Sequence, residues 1–179
     1  MSIDIKLEQE KAKKHIAEQG LRVLVCAGTG CVANGALDII KKFEELGAKV
    51  STLTAQDKMT IIPTGCQGFC EQGVMIHLAD KNVTYVQVKE EDVEEIYESH
   101  IKNNTIIERL LYIEPKTNER KQKTEDINFY AKQTRNVLSN CGHISAESLE
   151  EAVSVRGYEA LAKVLQENNP DAVVKEVED

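Results

Sequence analysis

The stretch Val25-Cys-Ala-Gly-Thr-Gly-Cys-Val32 contains two cysteines separated by four residues. A second stretch, Thr64-Gly-Cys-Gln-Gly-Phe-Cys-Glu-Gln-Gly73, contains two more, separated by three residues, and begins its pair 35 positions after the first pair ends. Each pair follows a short run rich in β-branched residues, so we expect each to lie where the chain leaves a sheet. Loops at strand ends can present side chains from a rigid scaffold. The spacing therefore predicts one site that contains all four thiols.

The chemistry of thiolates limits what such a site can hold. Four soft thiolates suit zinc or an iron–sulfur cluster, and a bound metal removes the thiol protons outright. The flanking glycines permit unusual backbone angles and a close approach of the backbone to a ligand; they are Gly28, Gly30, Gly65 and Gly68. Zinc ribbons favour tighter C-x-x-C spacings, and a disulfide or plain buried cysteines would not need these glycines. The pattern favours an iron–sulfur cluster of unspecified type, with structural zinc as the alternative.

Composition and charge exclude several classes of protein. A net charge of −8 argues against binding to nucleic acid or to anionic membranes, since both require basic patches. No apolar run is long enough to span a membrane, and residues 1–10 lack the apolar core of a signal peptide. We therefore predict a cytoplasmic protein without direct membrane insertion. In that compartment paired cysteines more often bind metal or do redox work than form disulfides.

Hydrophobic periodicity predicts an α/β fold with a small sheet for the first part of the chain. Helices are predicted over Asp4–Gln19, Ala33–Leu46 and Glu90–Lys102. Strands are predicted over Leu21–Cys26, Lys49–Thr54, Thr60–Ile62, Met75–Leu78 and Val83–Val88, with a hairpin turn at Ala79–Asn82.

The composition changes beyond Tyr112. Residues 113–125 are polar and basic, and we predict that they form a linker. Helices alone are predicted after it, over Phe129–Leu138, Ala146–Val153 and Tyr158–Leu165. We therefore expect an α/β domain over residues 1–112, a linker, and a small all-helical segment over residues 126–179.

The two cysteine stretches resemble those of the thioredoxin-like [2Fe–2S] ferredoxin family, whose pattern is C-x-x-x-x-C followed after a similar interval by C-x-x-x-C. The sequence matches this pattern fully. The resemblance implies a thioredoxin-like fold and a [2Fe–2S] cluster as the cofactor. It also implies that the metal ligands are Cys26, Cys31, Cys66 and Cys70.

Two later stretches resemble a segment that precedes the flavin-binding domain in larger proteins. They read Gln133-Thr-Arg-Asn-Val-Leu-Ser-Asn-Cys-Gly-His-Ile144 and Gly157-Tyr-Glu-Ala-Leu-Ala-Lys-Val-Leu165. The larger proteins are the NADH-binding flavoprotein subunit of complex I and the β subunit of NAD(P)-linked [FeFe] hydrogenases. A Gly- and Arg-rich flavin loop follows the segment there, and this sequence contains no such loop.

The second resemblance implies electron transfer within an NAD(P)H-linked oxidoreductase, in a chain truncated before the flavin domain. The partners would be other subunits of a multi-subunit enzyme, either flavoprotein or iron–sulfur subunits. We expect no catalytic residues in the chain and no NADH oxidation by the chain alone. The alternative function is a zinc-stabilised structural or interaction module without redox activity.

Two further residues that can bind metal have simpler explanations. Cys141, the fifth cysteine, has no second cysteine close to it in the sequence and should be a small buried hydrophobe. His77 follows the second cysteine pair on a predicted strand. Histidine replaces cysteine in some clusters, but four cysteines leave no need for it, so His77 should pack or hydrogen-bond at the sheet.

Overall fold

The computed structural model describes residues 4–49 and 59–178 of the chain. The chain consists of two compact units. The larger unit comprises Gln19–Ala146, and the smaller combines Met1–Glu18 with Glu147–Asp179. No helix within the described ranges is long and apolar enough to cross a membrane.

A four-stranded sheet forms the framework of the larger unit. Its strands are β1 (Leu21–Cys26), β2 (Met59–Thr64), β3 (Ile76–Leu78) and β4 (Val83–Tyr85). They lie in the order β2-β1-β3-β4, with β1 parallel to β2 and antiparallel to β3, and with β4 antiparallel to β3. The parallel register places Cys26 beside Thr64. Both strands therefore end at the same edge of the sheet.

Two helices replace the single one predicted over Ala33–Leu46. They are α2 (Thr29–Ala33) and α3 (Ala36–Lys49). The break falls at Gly35, which has a φ of 90°, a conformation that side chains rarely adopt and that glycine adopts freely. Lys49 ends α3, and the rest of the strand predicted over Lys49–Thr54 lies outside the described residues.

The helix predicted over Glu90–Lys102 has three parts. It opens as a 3₁₀ turn (Glu90–Asp92), continues as α4 (Val93–Glu95) and ends as a π-helical stretch (Ile96–Lys102). The carboxylate of Asp92 accepts a hydrogen bond from the Lys89 N–H at 2.8 Å and one from Arg109 Nη2 at 2.7 Å. Asp92 thus provides an acceptor for a backbone N–H and a partner for the Arg109 charge at the start of the helical stretch.

The core of the larger unit contains side chains from the sheet, from α3 and from the stretch that begins at Glu90. Its fully buried members include Val23, Val25, Phe43, Ile76 and Ile96. Burial of each such side chain contributes roughly 1.5–3 kcal/mol. The strands that lead to the cysteine pairs are therefore fixed by a well-packed core.

Residues 113–125 differ from the linker that we predicted. They take part in a β-hairpin of β5 (Tyr112–Ile113) and β6 (Arg120–Lys121). Asn118, with a φ of 56°, occupies the left-handed position in its turn. The Thr84 N–H of β4 donates to the Gln122 carbonyl at 2.8 Å and ties the hairpin to the sheet region. Strands of two residues are too short to show the alternation of polar and apolar residues that predicts a strand, so no sign of this pairing was present in the sequence.

The helix predicted over Phe129–Leu138 is also much shorter than expected. Only α5 (Asn128–Ala131) forms, and the chain from residue 132 to residue 146 runs through turns. Tyr130 is buried in the core, and Ser145 forms an isolated antiparallel bridge with Thr64 of β2. Within the predicted range, Gln133 Nε2 donates to the Phe129 carbonyl at 2.6 Å, so a side chain takes the carbonyl that the Gln133 N–H would bond in a continuous α-helix.

The smaller unit is helical. It contains α1 (Ile5–Ala17), α6 (Leu149–Ser154), α7 (Glu159–Glu167) and α8 (Pro170–Glu178). Asp4 caps α1 by accepting hydrogen bonds from the N–H groups of Lys6 and Leu7. His15 Nδ1 of α1 lies 2.7 Å from Glu150 Oε1 of α6. The chain division thus differs from the boundaries predicted at residues 112 and 125, because α1 groups with the last helices.

His77 is held within the sheet, as we predicted. Its Nδ1 lies 2.9 Å from Thr84 Oγ1 on β4, and its ring approaches that of His143 with centroids 6.5 Å apart. Burial, with a smaller contribution from the charge of His143, lowers the pKa of His77 to about 4, and Glu125 acts in the opposite direction. His77 is therefore neutral in the folded protein at neutral pH.

This burial predicts a loss of stability in mild acid. The unfolded state takes up a proton on His77 below about pH 6.5, whereas the folded state does so only near pH 4, so stability falls as pH decreases between these values. Through His77, the free energy of unfolding of the wild type should fall by about 2 kcal/mol between pH 7 and pH 5. Urea unfolding of wild type and His77→Gln at both values measures this, with Val137→Ala, which changes an exposed side chain that does not titrate, as the control. A stability gap between wild type and His77→Gln that is equal at both pH values would contradict the prediction.

Candidate metal centre

Parallel pairing of two strands brings the cysteine pairs together. Cys26 is the last residue of β1, and Cys66 follows the end of β2 by two residues. The Ala27 N–H donates to the Thr64 carbonyl at 2.9 Å, so the two chains remain joined as they leave the sheet. The loops that carry the two pairs consequently start side by side.

The second cysteine of each pair lies on a short helical turn. Cys31 is on α2, where it is 2% exposed, and Cys70 opens a 3₁₀ turn that ends at Gln72. Cys26 is also buried, whereas Cys66 and Cys70 are exposed. The first pair therefore forms the inner side of the site and the second pair its outer side.

Three glycines make room for thiols of the opposite pair. A Cβ atom on Gly28 would lie 2.8 Å from Cys66 Cβ and 3.0 Å from its Sγ. A Cβ on Gly30 would lie 3.2 Å from Cys70 Sγ, and one on Gly73 would lie 2.8 Å from Cys31 Sγ. Any side chain at Gly28 or Gly73 would thus displace a cysteine. Backbone of each loop packs directly against sulfur of the other, which holds all four thiols in one cradle.

The cysteines of this cradle change one another's pKa values. The Cys31 thiol donates a hydrogen bond to Cys26 and lowers the pKa of Cys26 to about 6, with further help from the backbone N–H groups of Gln67 and Gly28. The same interaction raises the pKa of Cys31. The charge of Cys66 raises the pKa of Cys70. A charge on one thiol therefore hinders ionisation of Cys31 and Cys70, and a bound metal relieves that repulsion.

Backbone N–H groups point at the sulfurs. The Gly68 N–H donates to Cys66 Sγ at 3.3 Å, and the Met75 N–H donates to Cys31. Such bonds stabilise electron-rich thiolates and influence the reduction potential of a cluster. Together with the glycine gaps, they fit an anionic thiolate-bound centre. Among residues 4–49 and 59–178 no three His, Cys, Asp or Glu side chains surround one common ion position, and a two-iron cluster needs only two thiolates at each iron.

Cys141 lies next to this site, which its isolation in the sequence did not suggest. It is half-buried, and a Cβ on Gly65 would lie 3.1 Å from its Sγ. We predicted a small buried hydrophobe; Cys141 does pack against its neighbours, but it is only half-buried. It contacts the residue beside Cys66 and not the cradle glycines themselves.

Comparison with known proteins extends this picture. The family model for thioredoxin-like [2Fe–2S] ferredoxins matches residues 13–100. A 2Fe–2S ferredoxin of Clostridium pasteurianum is 32% identical over 80 residues, which cover 45% of this chain and 76% of that protein. The chain belongs to the thioredoxin-like [2Fe–2S] ferredoxin family. This confirms the fold class that the resemblance of the cysteine stretches implied.

Further members of the family are also similar. A 2Fe–2S ferredoxin of Aquifex aeolicus is 37% identical over 82 residues, or 45% of this chain and 71% of that protein. The solved structure of a thioredoxin-like [2Fe–2S] ferredoxin from Aquifex aeolicus aligns with a TM-score of 0.47 at 30% identity, over 51% of this chain and 89% of that one. Residues 101–178 lie beyond the part that the family model matches.

Sequence reasoning missed two residues that support the candidate site. Thr64 Oγ1 donates to the Ile144 carbonyl at 2.7 Å and accepts from the Gly142 N–H at 2.9 Å, which anchors a distant segment beside Cys66. Gly73 ends the second cysteine motif, and Cys31 fills the space beside it. The glycine was visible in the sequence; the contact of Thr64 with a segment 78 residues away carried no local signal.

Gly28→Ala tests whether the glycine gap is required. The added methyl group would overlap Cys66, while the φ of −65° at Gly28 accepts alanine without strain. We expect the variant to fold but to retain far less iron per chain than wild type. Gly47→Ala is the matched control, because its Cβ would meet only the flexible end of Met59 at 3.4 Å. Equal iron content in Gly28→Ala, Gly47→Ala and wild type would show that the gap is not needed.

Proposed function

We propose that the protein transfers single electrons through one [2Fe–2S] cluster, as part of an NAD(P)H-linked oxidoreductase. The ligands in this proposal are Cys26, Cys31, Cys66 and Cys70, named here the cysteine site. When bound, the cluster supplies a centre that accepts and releases one electron. The observation that carries the proposal is the convergence of four thiols, with glycine gaps between them, in a chain of the ferredoxin family.

The protein's own task is to hold and orient the site. Buried Cys26 and Cys31 fix its inner side to the end of β1 and to α2, both of which pack on the core. Exposed Cys66 and Cys70 place its outer side at the surface of the larger unit, where a redox partner can approach closely. Electron transfer needs no substrate pocket or proton donor, so a rigid cradle open on one side is sufficient.

A second resemblance in the sequence supports the proposed role within an NAD(P)H-linked oxidoreductase. Residues 133–144 and 157–165 resemble the segment that precedes the flavin domain in the complex I flavoprotein subunit and in the hydrogenase β subunit. We therefore propose that the electron partners are flavoprotein or iron–sulfur subunits of such an enzyme, working in the cytoplasm. The net charge of −8 suits docking to a basic partner surface. No described feature favours the zinc-stabilised module over the redox carrier.

Spectroscopy on anaerobically purified protein tests the function directly. We expect a brown-red protein with two irons and two acid-labile sulfides per chain, titrating with one electron. Dithionite should reduce it and yield an EPR signal from a single unpaired electron. NADH should reduce it only when a flavoprotein subunit is added. A colourless protein that contains zinc and no iron would overturn the proposal, and reduction by NADH alone would overturn the predicted division of labour.

Single substitutions test the ligand set. Alanine in place of any one residue of the cysteine site should abolish or badly destabilise the cluster, because an iron would lose a thiolate ligand. Cys141→Ser should keep wild-type iron and sulfide, since Cys141 packs against Gly65 outside the proposed set. Iron and sulfide analysis of each variant measures this. A colourless Cys141→Ser together with a normal Cys70→Ala would show that the set is wrong.

A further inference from the structure

Residues 127–145, named here the cover segment, lie beyond the part of the chain that the family model matches. They nevertheless pack on the loop that carries Cys66 and Cys70. A Cβ on Gly142 would lie 3.0 Å from the side chain of Gln67, and Cys141 Sγ occupies the space beside Gly65. The cover segment therefore contacts the ligand loop at alternate residues, one on each side of Cys66.

Hydrogen bonds fix one end of the cover segment. The hydroxyl of Thr64 bonds both the Ile144 carbonyl and the Gly142 N–H, and Thr64 also pairs with Ser145 in an isolated bridge. Thr64 is 1% exposed, so these bonds are shielded from water. A buried hydroxyl that both donates and accepts is a well-determined anchor.

Aromatic stacking fixes the other end. Phe69, which lies between the two exposed cysteines, stacks on Phe129 with ring centroids 4.2 Å apart and an angle of 8° between the rings. Tyr130 meets Phe69 edge-on at 5.8 Å and donates its hydroxyl to the Gln67 carbonyl at 3.3 Å. Burial raises the pKa of Tyr130, and the charge of Cys26 adds to this effect. The hydroxyl thus stays protonated as a donor beside the site.

We infer that the cover segment is a built-in shield of the Cys66–Cys70 loop, which slows the loss of iron from the cluster and lowers its reduction potential. The inference rests on the proposed function. Shielding excludes water from one side of the loop, and reduction adds a negative charge that a less polar environment disfavours. Phe129 and Thr64 act as positioning residues, because each reaches the site through the ligand loop.

Four variants of the full chain test this inference. Phe129→Ala removes the stack, and Thr64→Val removes the shared hydroxyl. Thr64→Ser keeps that hydroxyl, and Val137→Ala changes a 96% exposed side chain of the same segment. The measurements are iron release to a chelator, the midpoint potential, and hydrogen exchange of the Gly142 amide.

We expect Phe129→Ala to release iron roughly two- to tenfold faster, the factor that corresponds to the free energy of one aromatic pair. Both Phe129→Ala and Thr64→Val should have a higher potential than wild type, and Thr64→Val should exchange the Gly142 amide faster. Thr64→Ser and Val137→Ala should match wild type. If Phe129→Ala does not fold, the Thr64→Val and Thr64→Ser pair decides.

The outcomes separate this inference from the function on which it rests. Wild type without a cluster would contradict the proposed function, and the inference with it. Wild type with a normal cluster, but with unchanged potential and iron release in Phe129→Ala and Thr64→Val, would overturn the shield alone. Equal effects from Val137→Ala would also overturn it, because a general loosening of the segment would then explain the result.

Discussion

The parallel pairing of β1 with β2 is the constraint on which the metal centre depends. It places Cys26 beside Thr64, so two loops that are distant in sequence leave the sheet at one edge. An antiparallel pairing would send the second loop to the opposite end of the sheet. Behind the pairing lies a core of closely packed aliphatic and aromatic side chains, which keeps the register fixed. The position of the thiols is therefore a property of the whole larger unit.

Electrostatics explains why this arrangement suits a metal cluster. The thiol of Cys31 and the N–H groups of Gln67 and Gly28 stabilise a thiolate on Cys26, but the first thiolate makes the next one harder to form. A cationic centre reverses that cost because it stabilises every thiolate at once. The glycines that face the sulfurs leave room for this centre without a side chain between the pairs. The fold thus supplies the negative thiolates, and the bound centre supplies the positive charge that stabilises them.

Much of the fold could be predicted because its signals were local. The bounds of β1 were predicted in full, and the cysteine spacing identified the residues that the structure brings together. Long-range features could not be predicted in this way. The hairpin over residues 112–121 has strands too short for a pattern. The helix expected over Phe129–Leu138 ends at Ala131. The bonds of Thr64 with Gly142 and Ile144 join segments too far apart in sequence for any local propensity to reveal.

X-ray absorption at the iron edge of the anaerobically purified protein tests the central claim most directly. If the cysteine site holds a [2Fe–2S] cluster, iron should have only sulfur as its nearest neighbours, with a second iron as the next scatterer. The same spectrum should be absent from Cys26→Ala and intact in Cys141→Ser. Nitrogen or oxygen among the nearest neighbours, or iron without an iron neighbour, would contradict ligation of a two-iron cluster by these four thiolates.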